Sequence, residues 1–189
     1  MAEFRPSKRL IVGIIAAVAV LIVVMMVILS YNGMVSKDQN VQSHWSDIEV
    51  AYQRKIDLIP TMYDVMNTSM EFEYNLMVNV TEARNKWQAL SGNTEEKMNA
   101  SIQLDTSFAA FVDAVNEAYP TLQLAPAVVL TFMDQFESTT NQIASERKFY
   151  NDAVKDYNSA IRSFPNVLFS GSFGFDEARY YERNTASIA

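Results

Sequence analysis

The chain of 189 residues contains no cysteine, one histidine, and only five glycines and five prolines. Without cysteine it cannot form a disulfide, use a thiolate nucleophile or bind zinc through sulfur. His44 alone is too little for a multi-histidine metal site and a weak basis for a Ser-His-Asp triad. A glycine-rich phosphate loop and a nucleophile elbow are also missing from the sequence. We therefore predict that the protein is not an enzyme and has no cofactor and no metal site.

Basic residues are outnumbered by acidic ones, with 15 Lys and Arg against 22 Asp and Glu and a formal charge of −7. Binding to nucleic acid requires a basic face that neutralises phosphates. Three of the basic residues, Arg5, Lys8 and Arg9, precede residue 10, so the rest of the chain is more acidic than the total indicates. We therefore predict no nucleic-acid partner.

Charge is absent from residues 10–29, an apolar run interrupted only by Gly13. At about 1.5 Å per residue the run spans about 30 Å, the thickness of a bilayer's hydrocarbon core. Signal-peptide cleavage after Ala19 would leave the apolar residues 20–29 at the new N-terminus, so we interpret the run as an uncleaved transmembrane anchor. The predicted partner of this segment is the lipid bilayer.

The basic segment 1–9 predicts the orientation of the anchor in the cell membrane. Its three cations outnumber the single Lys37 near the other end of the apolar run, and positive residues stay on the cytoplasmic side. The N-terminus is thus predicted in the cytoplasm and the following domain outside. Gly13 and Ala17 form a small-xxx-small pair, a pattern that permits two transmembrane helices to pack closely, so a homo-oligomer is possible.

Apolar side chains recur at steps of three and four through the rest of the chain, which is typical of amphipathic helices. We predict an all-α fold in which the transmembrane helix is followed by an antiparallel bundle of three to four long helices. The tail has turn signals at Gly171 and Gly174 and should pack on the bundle. The predicted segments after the anchor are a linker at 30–36, a bundle at 37–165 with helices at 37–90, 94–118 and 126–164, and an aromatic tail at 166–189.

The first bundle helix has one irregularity, around residues 48–56. Its apolar residues there follow at two successive steps of four, a stutter that unwinds heptad packing. Arg54, Asp57 and Pro60 lie at or just after this point. A buried Arg54–Asp57 pair with a proline kink is the favoured explanation, and a partner or ligand contact is the alternative. Whether the helix is continuous or broken at Pro60 stays open.

The last bundle helix carries a heptad seam from Val129 to Phe164 in which only Thr140 and Arg147 are out of character. A buried, unpaired guanidinium costs several kcal/mol. We therefore predict that Arg147 pairs with a carboxylate of another helix, with Glu73 and Glu117 as candidates.

A series of short motifs resembles the LemA family, in the right order and over nearly the whole chain. The motifs are the N-terminal anchor, Val41 and Trp45 before QRKIDLIP (53–60), VTEAR (80–84, ending at Arg84), EAYP (Glu117, Ala118, Tyr119, Pro120), Ile143-Ala144, Arg147, Tyr150-Asn151, Tyr157-Asn158, Phe164-Pro165 and Gly174-Phe175. The sequence departs from the family pattern at Thr61, Phe72 and Thr140. The resemblance implies a single-pass membrane protein with a soluble helical bundle and no established biochemical activity; some relatives take part in building magnetosome membranes.

The favoured function is a non-enzymatic scaffold or interaction protein with protein partners at the membrane. The alternative is a ligand-binding sensory or adaptor ectodomain, and a hydrolase or metal-dependent enzyme is the least favoured. The predicted structural or interaction residues are Trp45, Arg54, Asp57, Pro60, Glu73, Arg84, Glu117, Tyr119, Pro120, Arg147, Tyr150, Asn151, Phe164 and Pro165.

Overall fold

The computed structural model describes residues 7–68, 74–91, 94–121 and 125–181, and it contains no strand within them. Five α-helices follow one another: α1 (Lys8–Ile56), α2 (Ile59–Thr68), α3 (Tyr74–Ala89), α4 (Thr94–Ala118) and α5 (Ala127–Arg162). Two 3-10 turns, Asn166–Leu168 and Gly171–Phe173, come after α5. The predicted all-α bundle behind an apolar N-terminal helix is confirmed.

The linker predicted at 30–36 is wrong, because α1 continues through it. Gly33 lowers helix stability by only about 1 kcal/mol relative to alanine. Ser30 is 7% exposed and Met34 is fully buried, and burying a methionine side chain is worth roughly 1.5–3 kcal/mol. Packing therefore keeps helical a segment whose composition favours a break.

The helix predicted over 37–90 is replaced by three helices, and the first interruption lies at Asp57 and Leu58. There the Leu58 amide donates to the Lys55 carbonyl at 3.2 Å, a tightened last turn. Pro60 lies in the first turn of α2, where amides have no helical acceptor and proline is tolerated. The chain between α2 and α3, at 69–73, lies outside the described residues, as do residues 92–93 between α3 and α4 and residues 182–189 of the tail.

The last helix ends at Arg162 rather than at the predicted 164. Pro165 disfavours the helical conformation at the residue before it, and Phe164 is consequently outside the helix. Most of the predicted seam of α5 is buried, whereas Thr140 is exposed. The buried seam residues are Val129, Ile143, Tyr150, Val154, Tyr157 and Ile161.

Side-chain contacts establish the relative direction of α1 and α5. The His44 ring lies 6.1 Å from the Phe149 ring, and ten residues later in α1 the Arg54 Nη1 donates to Gln142 at 2.8 Å. Residue numbers therefore increase along α1 as the numbers of their contacts in α5 decrease, so the two helices are antiparallel. Helices α4 and α5 show the same order through two aromatic pairs, Phe108 with Phe136 and Phe111 with Phe132.

The described chain divides into two compact units. The anchor unit consists of residues 7–41 and 153–178, and the polar-core unit consists of the described residues of 42–152 together with 179–181. Two of the three boundaries fall inside helices, in α1 and in α5, and the third lies in the tail between Ala178 and Arg179.

The anchor unit contains the apolar run of α1. Among the described residues, one helix is long and apolar enough to cross a membrane; its 18-residue window has a mean hydropathy of 3.4, and none of that window is buried. Residues 10–29 thus expose a continuous apolar surface of the kind that lipid covers.

The polar-core unit has an apolar interior built from α1 to α5. The rings of Phe111 and Phe132 lie 5.4 Å apart in an edge arrangement, a favourable geometry for aromatic pairs. Other fully buried side chains of this interior are Met62, Val65, Val80, Leu104, Phe108 and Val115. Three charged side chains are embedded beside this interior.

Candidate functional site

Charged side chains from three helices meet inside the polar-core unit. Lys55 of α1 places its Nζ 2.7 Å from Oδ1 of Asp105 in α4, and Arg147 of α5 donates from Nη2 to Oδ2 of the same carboxylate. Lys55 is only 3% exposed. These three residues, together with Tyr52 and Tyr181, form what we call the charge cluster.

Two buried tyrosines complete the charge cluster. The Tyr52 hydroxyl donates to Oδ2 of Asp105 at 2.8 Å and lies 3.2 Å from the Tyr181 hydroxyl. Nη2 of Arg147 donates to both hydroxyls, at 3.1 Å to Tyr181. The guanidinium carbon also lies 4.3 Å from the Tyr181 ring centroid, a cation–π distance. The two hydroxyls therefore supply hydrogen-bond partners to the charged groups of the cluster.

The Lys55 ammonium has aromatic as well as ionic partners. It lies 5.3 Å from the centroid of the Phe108 ring and 5.1 Å from that of Phe136. Aromatic faces attract cations at such distances. One carboxylate oxygen and two ring faces thus surround this cation.

The cluster's electrostatics follow from two cations and one anion. Burial raises the pKa of Asp105, but the charges of Lys55 and Arg147 outweigh it, and the pKa lies below its ordinary value. Burial above all, then the Asp105 charge, raises the pKa of Tyr52 well above its ordinary value. Burial lowers the pKa of Arg147. The interactions with Tyr52, Asp105 and Tyr181 raise it by more, so the pKa of Arg147 lies above its ordinary value. At neutral pH the phenol is therefore a donor and the carboxylate is ionised.

Helical spacing explains why these side chains point inward. Tyr52 lies four residues after Ile48, and Lys55 lies three residues after Tyr52, which is the spacing of the apolar face. The stutter disappears once Lys55 is counted as a member of that face. Asp105 likewise lies on the buried face of α4, four residues after Ser101 and three before Phe108.

The described end of the tail is fixed on α5 by polar contacts. The Asn151 side chain donates to the Tyr181 carbonyl at 3.0 Å and accepts from the Tyr181 amide at 2.7 Å. The Tyr150 hydroxyl donates to the Arg179 carbonyl at 3.0 Å, and burial raises the pKa of Tyr150 to about 12. These bonds place the Tyr181 hydroxyl against Arg147.

The predicted buried Arg54–Asp57 pair is wrong, because both residues are exposed and bond elsewhere. Arg54 donates to Gln142, and Asp57 accepts from Gln53 at 2.9 Å. Neighbouring residues of a helix point about 100° apart, so the inward position belongs to Lys55, a charged residue that hydrophobic periodicity does not identify.

The partner predicted for Arg147 is also corrected. Arg147 does pair with a carboxylate of another helix, but that carboxylate is Asp105. Glu117 is exposed, and Glu73 lies outside the described residues. The pattern that could have identified Asp105 is its place on the apolar face of α4.

The other predicted residues are dispersed, except for Trp45, which packs on Tyr150 and Tyr181 at centroid distances of 5.8 and 6.4 Å. Arg84 is half-buried, and its Nε has no hydrogen-bond partner among the residues that the structure describes. Of the rest, Tyr119 and Pro165 are half-buried, and Pro60, Pro120 and Phe164 are exposed.

A second group of ionisable residues surrounds the single histidine. One ligand atom each from His44, Asp47 and Glu146 lie within 4.8 Å of one another. His44 Nδ1 is 3.5 Å from Asp47 Oδ2, and Asp47 is exposed. One imidazole and two carboxylates could contribute three ligands to a divalent ion, with water supplying the rest. Because the carboxylates are accessible to water, the arrangement is a surface cluster rather than an enclosed metal centre.

The fold and the charge cluster define an all-α domain with an apolar N-terminal helix, in which charged side chains of three helices pair with one another. The LemA family model matches residues 44–189, which is most of the chain, and the protein belongs to the LemA family. No curated protein matches the chain. The family match begins at His44, so it includes every residue of the charge cluster.

Proposed function

We propose that the protein is a single-pass membrane protein whose helical domain is a non-enzymatic scaffold for protein partners. The observation that carries the proposal is the uncovered apolar surface of α1, none of whose 18-residue hydropathic window is buried. A helix of this length and composition is stable in a bilayer, where its backbone is internally hydrogen-bonded. The rest of the chain is then held at a membrane surface.

The charge cluster supports a structural role for the polar-core unit. Catalytic groups must reach a substrate, and they usually line a cleft. Here both oxygens of Asp105 accept bonds from within the cluster, and Tyr52 and Tyr181 are 1% and 4% exposed. The ionisable groups are committed to one another, which favours a scaffold over an enzyme.

The charge asymmetry of the chain supports an orientation with the N-terminus in the cytoplasm. The helical domain would then meet its partners outside the cytoplasm.

Membrane anchoring and orientation are tested together in cells. The full chain should stay in the membrane fraction after alkaline carbonate extraction, whereas a chain beginning at Ser30 should be released. Protease added to intact spheroplasts should digest the helical domain. Extraction of the full chain by carbonate would refute anchoring, and protection of the domain until the membrane is permeabilised would reverse the orientation.

Scaffold function is tested by site-specific crosslinking, for which a chain without cysteine is well suited. A benzophenone on cysteine at exposed Phe149 and, on another helix, at exposed Asn116 should give discrete adducts whose pattern differs between the two sites. Absence of adducts from many exposed sites on all helices would refute the scaffold.

One feature favours the alternative of a ligand-binding ectodomain. An open groove with a cavity volume of about 540 Å³ is lined in part by Glu49, Trp87 and Lys97. The Lys97 ammonium pairs with Glu49 and lies 4.7 Å from the Trp87 ring centroid. A ligand in this groove should raise the melting temperature by mass action and change Trp87 fluorescence, and such a response to a metabolite fraction would favour the sensor.

A further inference from the structure

The chain after α5 forms an uncharged apolar surface. Between Arg162 and Asp176 there is no charged residue, and we call residues 163–175 the aromatic loop. Three of its side chains are largely exposed: Phe164 at 75%, Val167 at 51% and Leu168 at 61%. Such a group of exposed apolar side chains ordinarily marks a binding surface.

Hydrogen bonds hold the aromatic loop in a defined conformation. Its amides bond within the two 3-10 turns, including Phe169 to Asn166 at 2.9 Å and Phe173 to Phe169 at 3.0 Å. Gly174 closes the second turn with a φ of 75°, which glycine adopts without strain. Because most of the loop's backbone amides are bonded locally, the cost of moving the loop into a region poor in water is reduced.

The residues beyond the loop are fastened to α5. Asn158 donates to the Ala178 carbonyl at 2.9 Å and accepts from the Ala178 amide at 2.9 Å. The Tyr157 hydroxyl donates to the Asp176 carbonyl at 2.8 Å. The exposed apolar side chains therefore belong to a fixed surface.

Aromatic contacts place the loop beside the end of the apolar run. The Tyr31 ring lies 5.2 Å from the Phe173 ring and 5.7 Å from the Phe175 ring, both edge-on. Tyr31 is two residues beyond Leu29, about 3 Å further along the helix axis. If α1 spans the bilayer, the loop lies where the helix leaves the hydrocarbon core.

We propose that the aromatic loop docks into the interfacial layer of the bilayer that α1 spans. The inference rests on the proposed membrane anchoring. Aromatic side chains are favoured at this depth, where an apolar body and a polar environment coexist. The loop has no cation, and acidic Asp176 and Glu177 follow it, so zwitterionic lipid suffices and anionic headgroups add nothing.

The test uses the full chain in phosphatidylcholine vesicles with an NBD fluorophore on single cysteines. Leu168→Cys and Phe164→Cys report the loop, Ser138→Cys on the exposed surface of α5 is the water-facing control, and Val20→Cys is the reference within the apolar run. Lipids with a doxyl group at acyl carbon 5 should quench the loop labels by roughly half or more. The same quencher should leave Ser138→Cys almost unchanged, and carbon-12 doxyl should quench Val20→Cys most.

The outcomes separate this inference from the anchoring. If Val20→Cys is not quenched, the anchoring itself is wrong. If Val20→Cys is quenched but both loop labels behave like Ser138→Cys, anchoring holds and the docking is wrong. Loop labels with blue-shifted but unquenched emission would mean that protein, such as a second copy, covers the loop, which also overturns the proposal. Adding phosphatidylglycerol should not increase the quenching of the loop labels.

Discussion

The two units of the protein stabilise their buried polar groups in different ways. In the anchor unit, Tyr157 and Asn158 bond to neutral backbone groups of the tail. In the polar-core unit, Lys55, Asp105 and Arg147 bond to one another. Neutral bonds survive loss of one partner with modest cost, but removal of one member of a buried ionic group leaves an uncompensated charge. The polar-core unit should therefore be the more sensitive to single substitutions.

The charge cluster also constrains how three helices align. Apolar seams tolerate sliding better than polar contacts do, and a polar group at a seam can specify the register of helices. Asp105 binds α1 through Lys55 and α5 through Arg147. We infer that the cluster sets helix register in the polar-core unit, because the ion pairs of the anchor unit, Lys37–Asp156 and Arg162–Glu177, are exposed and exposed pairs contribute little to stability.

The largest expected effect is that of Asp105→Asn, which leaves the buried Lys55 and the half-buried Arg147 without an anion. Breaking a buried ionic group in this way costs about 3–5 kcal/mol. Trp45 and Trp87, the two tryptophans, both lie in the polar-core unit, so denaturant unfolding followed by tryptophan fluorescence reports this loss. Asp113→Asn, at an exposed position of the same helix, should change little.

Arg147→Met provides the contrast for that substitution. It removes one of two cations and leaves the Lys55–Asp105 pair neutral as a whole, so it should cost less than Asp105→Asn while still lowering stability. A double-mutant cycle between positions 105 and 147 should give a coupling energy above about 0.5 kcal/mol. Zero coupling would mean that Arg147 is not held by Asp105.

The next effect concerns the anchor unit, through two truncated chains that begin at Ser30 and at Ser36. The shorter chain lacks Met34, which is fully buried, and losing such a side chain costs roughly 2–4 kcal/mol. Circular dichroism should show an earlier loss of helix in the shorter chain. The unfolding transition followed by tryptophan fluorescence should have the same denaturant midpoint in the two chains. If the circular dichroism and fluorescence midpoints shift by the same amount, the two units unfold as one.

The sequence predicts the helices better than it predicts the charged contacts. Hydrophobic periodicity identifies α4 and α5 because their buried positions are mostly apolar. Periodicity fails at Lys55 and Asp105, since a count of apolar residues omits a charge on a buried face. It also fails at residues 30–36, where the burial of Ser30 and Met34 overrides poor helix propensity. Arg147 was found because the seam around it is otherwise apolar, but its partner required the three-dimensional arrangement.

Acid should weaken the polar-core unit selectively. The pKa of Asp105 is lower in the folded state, so its contribution to stability is complete above the unfolded pKa of about 3.9 and disappears as the pH falls through the folded value. The fluorescence-detected free energy of unfolding should thus fall below about pH 4. Asp105→Asn should show a shallower acid dependence than the parent, and identical slopes would mean that other carboxylates dominate.

The smallest expected effect is that of Tyr181→Phe, which removes one hydroxyl from the charge cluster and keeps the ring. That hydroxyl accepts from Arg147 at 3.1 Å and lies 3.2 Å from the Tyr52 hydroxyl. The ring would still face the guanidinium, and Asn151 would still hold the backbone of residue 181, so only the polar contacts are lost. A hydrogen bond of this kind is worth about 0.5–1.5 kcal/mol, more toward the upper end because its donor is charged. Tyr180→Phe is the matched control, because Tyr180 is exposed and its substitution should be neutral. If the two variants unfold alike, the Tyr181 hydroxyl contributes nothing to stability, and Tyr181 does not belong to the electrostatic interior of the polar-core unit.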